Sequence, residues 1–157
     1  MGGLDFTRAC APKVIHLIGS ASWDKGTYTL GTAEGGLKVT LYMGNWLDLT
    51  NVDRMNEYYF KVMHHEFAHI LHQKKNYPVD YDKISAGNYT PTGWQNRKLA
   101  EVAPLGFVTP YAGSKPSEDI AEVTACFLTY PEAQWENVMT LAGEKGKPII
   151  DQKLAMV

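Results

Sequence analysis

The sequence is poor in several features that mark large protein classes. It holds only two cysteines, Cys10 and Cys126, so it can form at most one disulfide within the chain. The sequence leaves open whether these two cysteines pair or stay separate thiols. Basic residues (15 Lys plus Arg) do not outnumber acidic ones (17 Asp plus Glu), and no polybasic run occurs. Nucleic acid is therefore not an expected partner, and neither is an anionic membrane surface. No apolar run is long enough to span a bilayer.

The two ends of the chain also carry few signals. Residues 1–5 have neither a basic region nor an apolar region of the kind that forms a signal peptide. Residues 149–157 predict a helix without a glycine, proline or cap to stop it. The 157 residues are enough for one domain with a sizeable core. We therefore expect residues 1–157 to form a single domain that is a fragment of a longer protein.

Three segments near the N-terminus predict strands. Residues 14–18 form a short apolar run, which predicts a buried strand. Residues 27–30 and 37–43 are separated by the glycine-rich segment 31–36, which predicts a hairpin with that segment as its loop. Apolar and polar residues alternate along 37–43, as is typical of a strand with one face on a core.

Helical patterns dominate the remaining sequence. Thr50 or Asn51 is a suitable N-cap for a main helix that runs to about Gln73 with an apolar stripe. The segment 77–116 is rich in proline, glycine, asparagine and aromatic residues, and predicts a long excursion with a short helix near 95–102. Two further helices are predicted, one over 117–129 with Ser117 as its N-cap and one over about 131–141. The fold class expected from this order is α+β.

The main helix contains the pattern H-E-x-x-H at residues 65–69. Residues four apart on a helix project from one face, so His65 and His69 can bind a single tetrahedral ion. Glu66 lies beside the first histidine, where its carboxylate can accept a proton from an attacking water without binding the metal. The pattern therefore predicts two zinc ligands and a general base. The alternative is a helix end whose histidines are merely solvated or packed.

A catalytic zinc site needs a third protein ligand and an open position for water. Among the other histidines, His64 projects from a different face, His72 lies further along the helix and His16 lies in a predicted strand. Glu118 is the better candidate, because Glu122 follows it at helical spacing and could accept the N–H of a ligand histidine. Without the H-E-x-x-H motif upstream, these two glutamates would be interpreted as solvated residues in the first turns of a helix.

Together, these motifs resemble the gluzincin branch of the zincin metallopeptidases, in which H-E-x-x-H is followed by a glutamate ligand. Tyr111 lies seven residues before Glu118, and Glu122 lies four residues after it. This arrangement is similar to the active site of the anthrax lethal factor peptidase domain. The resemblance implies that Tyr111 stabilises the oxyanion, Glu118 binds zinc and Glu122 supports the site. It also implies that a strand adds to an extended peptide substrate, for which 37–43 is the candidate edge.

The chain as a whole resembles the zinc-binding metallopeptidase lipoproteins of bacteria that import nutrients through paired outer-membrane receptors. Residues 65–69, 106–112 and 118–122 carry this likeness, and the hairpin over 30–42 fits it. The resemblance implies an extracytoplasmic lipoprotein, at the cell surface or on the periplasmic side, with partners in nutrient import. Cys10 lacks a preceding apolar segment and is not the lipidated residue. Membrane anchoring would then depend on a lipidated N-terminus outside this sequence.

The expected fold is a zincin-like domain, with a small mixed sheet and hairpin packed on the H-E-x-x-H helix and with helices towards the C-terminus. The expected function is that of a gluzincin-type metalloendopeptidase with one Zn²⁺ per chain, which hydrolyses peptide or protein substrates through a zinc-activated water with Glu66 as the base. The alternatives are a catalytically idle zinc-binding surface protein associated with nutrient import and a helical adaptor without metal.

Overall fold

A computed structural model describes residues 8, 10–19, 22–24, 27–75 and 78–157. The chain divides into two compact units, residues 1–76 and 77–157. Strands occur in the first unit and helices in both, which confirms the α+β class. That residues 1–157 form one domain stays a prediction. The first five residues lie outside the described residues, as do Asn76 and Tyr77 of the segment 76–78, which the sequence predicts to end the main helix.

The first unit contains a three-stranded mixed sheet. Its strands are β1 (Val14–Leu17), β4 (Gly31–Glu34) and β5 (Lys38–Leu41), in the order β1-β5-β4. Strand β5 pairs parallel with β1 and antiparallel with β4. Strands β2 (Ser22–Asp24) and β3 (Thr27–Thr29) form a separate antiparallel pair.

The hairpin exists, but its loop is shorter than predicted. Residues 31–34 are strand β4 and not part of the loop, because their backbone pairs with β5 from Gly31 opposite Leu41 to Glu34 opposite Lys38. The turn occupies residues 35–37. Gly35 and Gly36 have φ values of 59° and 66°, which residues with a side chain rarely adopt.

Two sequence-based expectations about the strands are wrong. Strand β5 has neighbours on both sides, so residues 37–43 cannot offer a free edge to a peptide. Strand β1 is present but not buried, and Ile15 is 56% exposed. The reason is its place at the end of the sheet, where it pairs with β5 alone among the described strands.

The main helical run begins where the sequence predicts. The side chain of Asn51 accepts a hydrogen bond from the backbone N–H of Arg54 at 3.0 Å, which makes Asn51 the N-cap. The run then comprises α1 (Val52–Arg54), a π-helix (Met55–Phe60) and α2 (Lys61–Lys74). The π-helix was not predicted, since periodicity in the sequence does not report a single wide turn.

The hairpin packs on helix α2, as expected. Val39, Leu41 and Ile70 are buried together and form the core of this unit. The Gln73 side chain joins the two elements, because its Oε1 accepts from the N–H of Gly36 at 2.5 Å and its Nε2 donates to the carbonyl of Ala33 at 3.1 Å. Strand β4 is thus fixed both to β5 and to the helix.

The second unit is helical in its described part. Its helices are α3 (Tyr81–Ile84), α4 (Leu99–Val102), α5 (Pro116–Thr129) and α6 (Glu132–Leu154). Helix α4 lies where a short helix was predicted. Ser117 is not the N-cap of α5, because Pro116 already occupies the first turn and Lys115 is the cap residue.

Helix α6 extends beyond the predicted end at 141, but Gly143 interrupts it with a non-helical backbone at φ 59° and ψ −164°. Its second half, residues 144–154, lies very close to the segment 103–106. A Cβ on Gly146 would be 2.1 Å from the carbonyl oxygen of Ala103. A Cβ on Gly106 would be 2.2 Å from Ile149 Cγ2. Glycine at both positions therefore permits the contact.

A buried ion pair completes this contact. Lys153 and Asp119 both have no exposed side-chain surface, and Lys153 Nζ lies 2.7 Å from Asp119 Oδ2. The same ammonium donates to the carbonyl of Gly106 at 2.7 Å, and the hydroxyl of Tyr89 donates to Asp119 Oδ2 at 2.8 Å. Burial raises the pKa of Asp119 to about 6 and lowers the pKa of Lys153, while each partner acts in the opposite direction on the other.

Both cysteines are buried thiols, so the open question of a disulfide is answered in favour of separate thiols. Among the described residues, none of the helices has the length and apolar character needed to cross a membrane.

Lys153→Met tests the buried ion pair. We expect a loss of about 3–5 kcal/mol in the free energy of unfolding, because the Asp119 carboxylate would stay buried without its cation. Urea denaturation measures the loss, and Lys145→Met on the exposed face of α6 is the matched control. The double variant Lys153→Met/Asp119→Leu should recover most of the stability. A single variant as stable as the control would contradict this account.

A second prediction concerns pH. His72 in the last turn of α2 is half-buried, and burial lowers its pKa to about 4, with a smaller contribution from His69. In the unfolded chain this histidine binds a proton below about pH 6.5, whereas the folded protein keeps it neutral. The contribution of His72 to stability should therefore fall as the pH falls from about 6.5 to 4. In thermal unfolding of the metal-free protein, His72→Gln should flatten this dependence. An unchanged slope would refute the assignment to His72.

Candidate metal centre

Helix α2 brings the two histidines of the motif onto one face. The Nε2 atoms of His65 and His69 lie 3.1 Å apart, and their ring centroids lie 4.7 Å apart at an angle of 81°. Two nitrogens bound at about 2.0–2.1 Å to one tetrahedral ion would be roughly 3.3 Å apart. The spacing of the two imidazoles therefore fits a shared zinc ion, with Nε2 as the ligand atom of each ring.

Glu66 is buried beside the first histidine, with 6% of its surface exposed. Its carboxylate lies against the start of strand β4. A Cβ placed on Gly31 would be 2.7 Å from both Cγ and Oε1 of Glu66. This glycine was not identified in the sequence as part of the site, because its role depends on a contact between residues far apart in the chain.

Glu118 lies in the first turn of helix α5, where backbone N–H groups favour a carboxylate. It is buried, and its Oε1 lies 3.2 Å from the ammonium of the exposed Lys115. Asp119, the next residue, is the buried partner of Lys153. The position of Glu118 on the helix is therefore fixed by its immediate neighbour.

His65, His69 and Glu118 together form a set that could hold a metal ion. Each offers one ligand atom, and these atoms all lie within 4.8 Å of one another. Two imidazole nitrogens and one carboxylate oxygen are the donors that zinc accepts at catalytic sites, where a fourth position stays open for water. The residues present fit the ion that the sequence predicted. None of the other three histidines belongs to a metal-binding set among the described residues.

Tyr111 precedes the 3₁₀ turn Ala112–Ser114 and is half-buried. Its ring lies on that of Trp94, with centroids 4.6 Å apart. The turn after Tyr111 is buried, and the carbonyl of Gly113 accepts a hydrogen bond from Thr90 N at 2.7 Å.

Glu122 is buried one helical turn after Glu118 and binds a threonine. Thr109 Oγ1 donates to Glu122 Oε2 at 2.7 Å and accepts from the backbone N–H of Ala112 at 3.0 Å. The threonine thus connects helix α5 to the segment that carries Tyr111. Thr109 was not singled out in the sequence, although it lies within the segment 106–112 that carries the family likeness. Contact of Glu122 with a ligand histidine stays a prediction.

Comparison with known proteins agrees with these donors. A search of curated proteins found no match to this sequence. A family model described as "Putative zinc-binding metallo-peptidase" matches residues 1–157, the whole of the chain. The model covers the two histidines, the carboxylate and every other residue discussed above. The chain therefore belongs to this family of zinc-binding metallopeptidases, and its cofactor is zinc.

Proposed function

We propose that the protein is a gluzincin-type zinc metalloendopeptidase with a zincin-like fold. The observation that carries the proposal is the set of three donors, His65, His69 and Glu118, whose ligand atoms lie within 4.8 Å of one another. Glu66 follows the first donor directly and is buried. Zinc bound to such donors supplies activation of water and polarisation of the scissile carbonyl.

Residues of the chain would carry out the proton transfers and stabilise the developing negative charge. Glu66 accepts the proton of the attacking water and passes it to the leaving amine. The Tyr111 hydroxyl, which is protonated at neutral pH, donates a hydrogen bond to the oxygen that becomes negative. The ring of Tyr111 packs on the ring of Trp94, and the turn that follows Tyr111 is buried. The role of each residue follows from the resemblance to gluzincins, and the contacts of Tyr111 are compatible with it.

Strand β4 is the edge at which an extended peptide could be added. Among the described strands it pairs with β5 alone, so its other side is not used in the sheet. Its first residue, Gly31, lies next to Glu66. A substrate strand bound there by main-chain hydrogen bonds would have its scissile bond near the base. This edge replaces residues 37–43, which were the expectation from sequence.

Extracytoplasmic lipoprotein anchoring and partners in outer-membrane nutrient import are also proposals. They are supported by the likeness of residues 65–69, 106–112 and 118–122 to such lipoproteins.

The metal assignment can be tested by removal of the ion. Purified protein should contain one zinc per chain, and a chelator should lower the melting temperature, because a ligand that binds only the folded state stabilises it. His69→Ala should abolish both the zinc and the response to chelator. His16→Ala is the matched control, since this histidine belongs to no metal-binding set among the described residues. A chelator response that survives in His69→Ala would contradict the ligand assignment.

Glu66→Gln tests the chemistry. We expect kcat/KM for a mixed peptide library to fall by about 10²–10⁴-fold, as is usual when a general base is removed. Zinc content should not change, because Glu66 is not a ligand. Glu57→Gln on the exposed face of the same helical run is the control. Cleavage that persists in Glu66→Gln would exclude this residue as the base, and a zinc-loaded wild type that cleaves nothing would favour the catalytically idle protein.

A further inference from the structure

We infer that Gly31 is a positioning residue for Glu66, and that the absence of a side chain at this point of strand β4 sets the location of the catalytic carboxylate. The inference rests on the proposed function of Glu66 as the base. Its physical basis is a contact within the first unit, which can be examined with or without metal.

The contact leaves no room for a Cβ unless a neighbouring atom moves. A Cβ at position 31 would be 2.7 Å from Glu66 Cγ, 2.7 Å from Glu66 Oε1 and 2.9 Å from Val62 Cγ1. All three distances are shorter than a carbon atom tolerates, so something must move when a methyl group is added. Gly31 does not have a positive φ, so its backbone conformation does not require glycine. Position 31 favours glycine because a Cβ would overlap with its neighbours.

Strand β4 is held in place and cannot easily move away. Gly31 pairs with Leu41 on the central strand, and the other end of β4 is fixed by the pairing of Glu34 with Lys38. The Gln73 side chain adds hydrogen bonds to Ala33 and Gly36, two helical turns beyond Glu66. The side chain of Glu66 is the softer partner, since it can change rotamer at modest cost.

The backbone of Gly31 therefore forms one wall of the space that holds the Glu66 carboxylate. A methyl group at that wall would displace the carboxylate by a distance comparable to the overlap. A general base must lie within hydrogen-bond reach of the proton it accepts, and a displacement of about 1 Å can reduce the rate by roughly 10²-fold. The three atoms nearest to a Cβ at position 31 belong to Glu66 and Val62.

The contact is tested by thermal unfolding of the metal-free protein. Gly31→Ala should lower the melting temperature by roughly 3–10 °C, as overpacking of a buried site does. In a Glu66→Ala background, which lacks the clashing Cγ and Oε1, most of this decrease should disappear. Val62→Ala is the parallel background, and there the decrease should persist. An equal decrease in all three backgrounds, or relief by Val62→Ala alone, would overturn the inference.

The functional consequence is tested in the zinc-loaded protein. Gly31→Ala should lower kcat by about 10²-fold with little change in KM, while zinc content stays at the wild-type level. Gly35→Asn in the same hairpin is the control, because nothing lies within 4 Å of a Cβ there and asparagine tolerates its positive φ. Full activity in Gly31→Ala would overturn the positioning role. A wild type without activity would refute the proposed function instead. The melting temperatures would still show whether Gly31 and Glu66 are in contact.

Discussion

The site depends on the approach of two imidazole nitrogens to 3.1 Å on a single helix. That distance requires regular α-helical geometry from His65 to His69, because only residues three or four apart lie on the same face. The chain does contain an irregular stretch in this helical run, but the π-helix occupies Met55–Phe60 and ends before the motif. Four residues of ordinary helix, 61–64, separate the π-helix from His65, and the spacing of the donors is preserved.

Helix α5 imposes the second constraint, since it buries three carboxylates within five residues. Glu118, Asp119 and Glu122 are each almost fully removed from water, and burial, with a smaller contribution from the charge of Glu122, raises the pKa of Asp119. A different donor faces each of the three carboxylates. Lys115 faces Glu118, Lys153 and Tyr89 face Asp119, and Thr109 faces Glu122. Each carboxylate thus has a different neighbour, and the one that faces Glu118, Lys115, is exposed.

The local part of this arrangement was predictable from sequence, and the distant part was not. The candidate metal set of His65, His69 and Glu118 was predicted from spacing within helices, where residues a fixed number apart share a face. The Asn51 cap and the hairpin follow from equally local signals. Gly31, Thr109 and Lys153 do not, because each acts on a residue 13 to 47 positions away through a contact that only the tertiary fold creates. The exposure of β1 was not predicted for the same reason, because an apolar run does not show where its strand lies in a sheet.

These distant residues share one physical property that explains their place around the site. None of them carries a group expected to react, and each restricts the movement of a residue in the candidate site or directly next to it in the sequence. Gly31 bounds the space of Glu66, Thr109 joins Glu122 to the segment of Tyr111, and Lys153 holds Asp119 beside Glu118. A constellation that must be held to within about 0.5 Å needs such supports, because side chains on a helix otherwise retain several rotamers. Under the proposed function, an intact H-E-x-x-H motif is therefore not sufficient for hydrolysis, because the supporting contacts decide whether the donors and Glu66 act together.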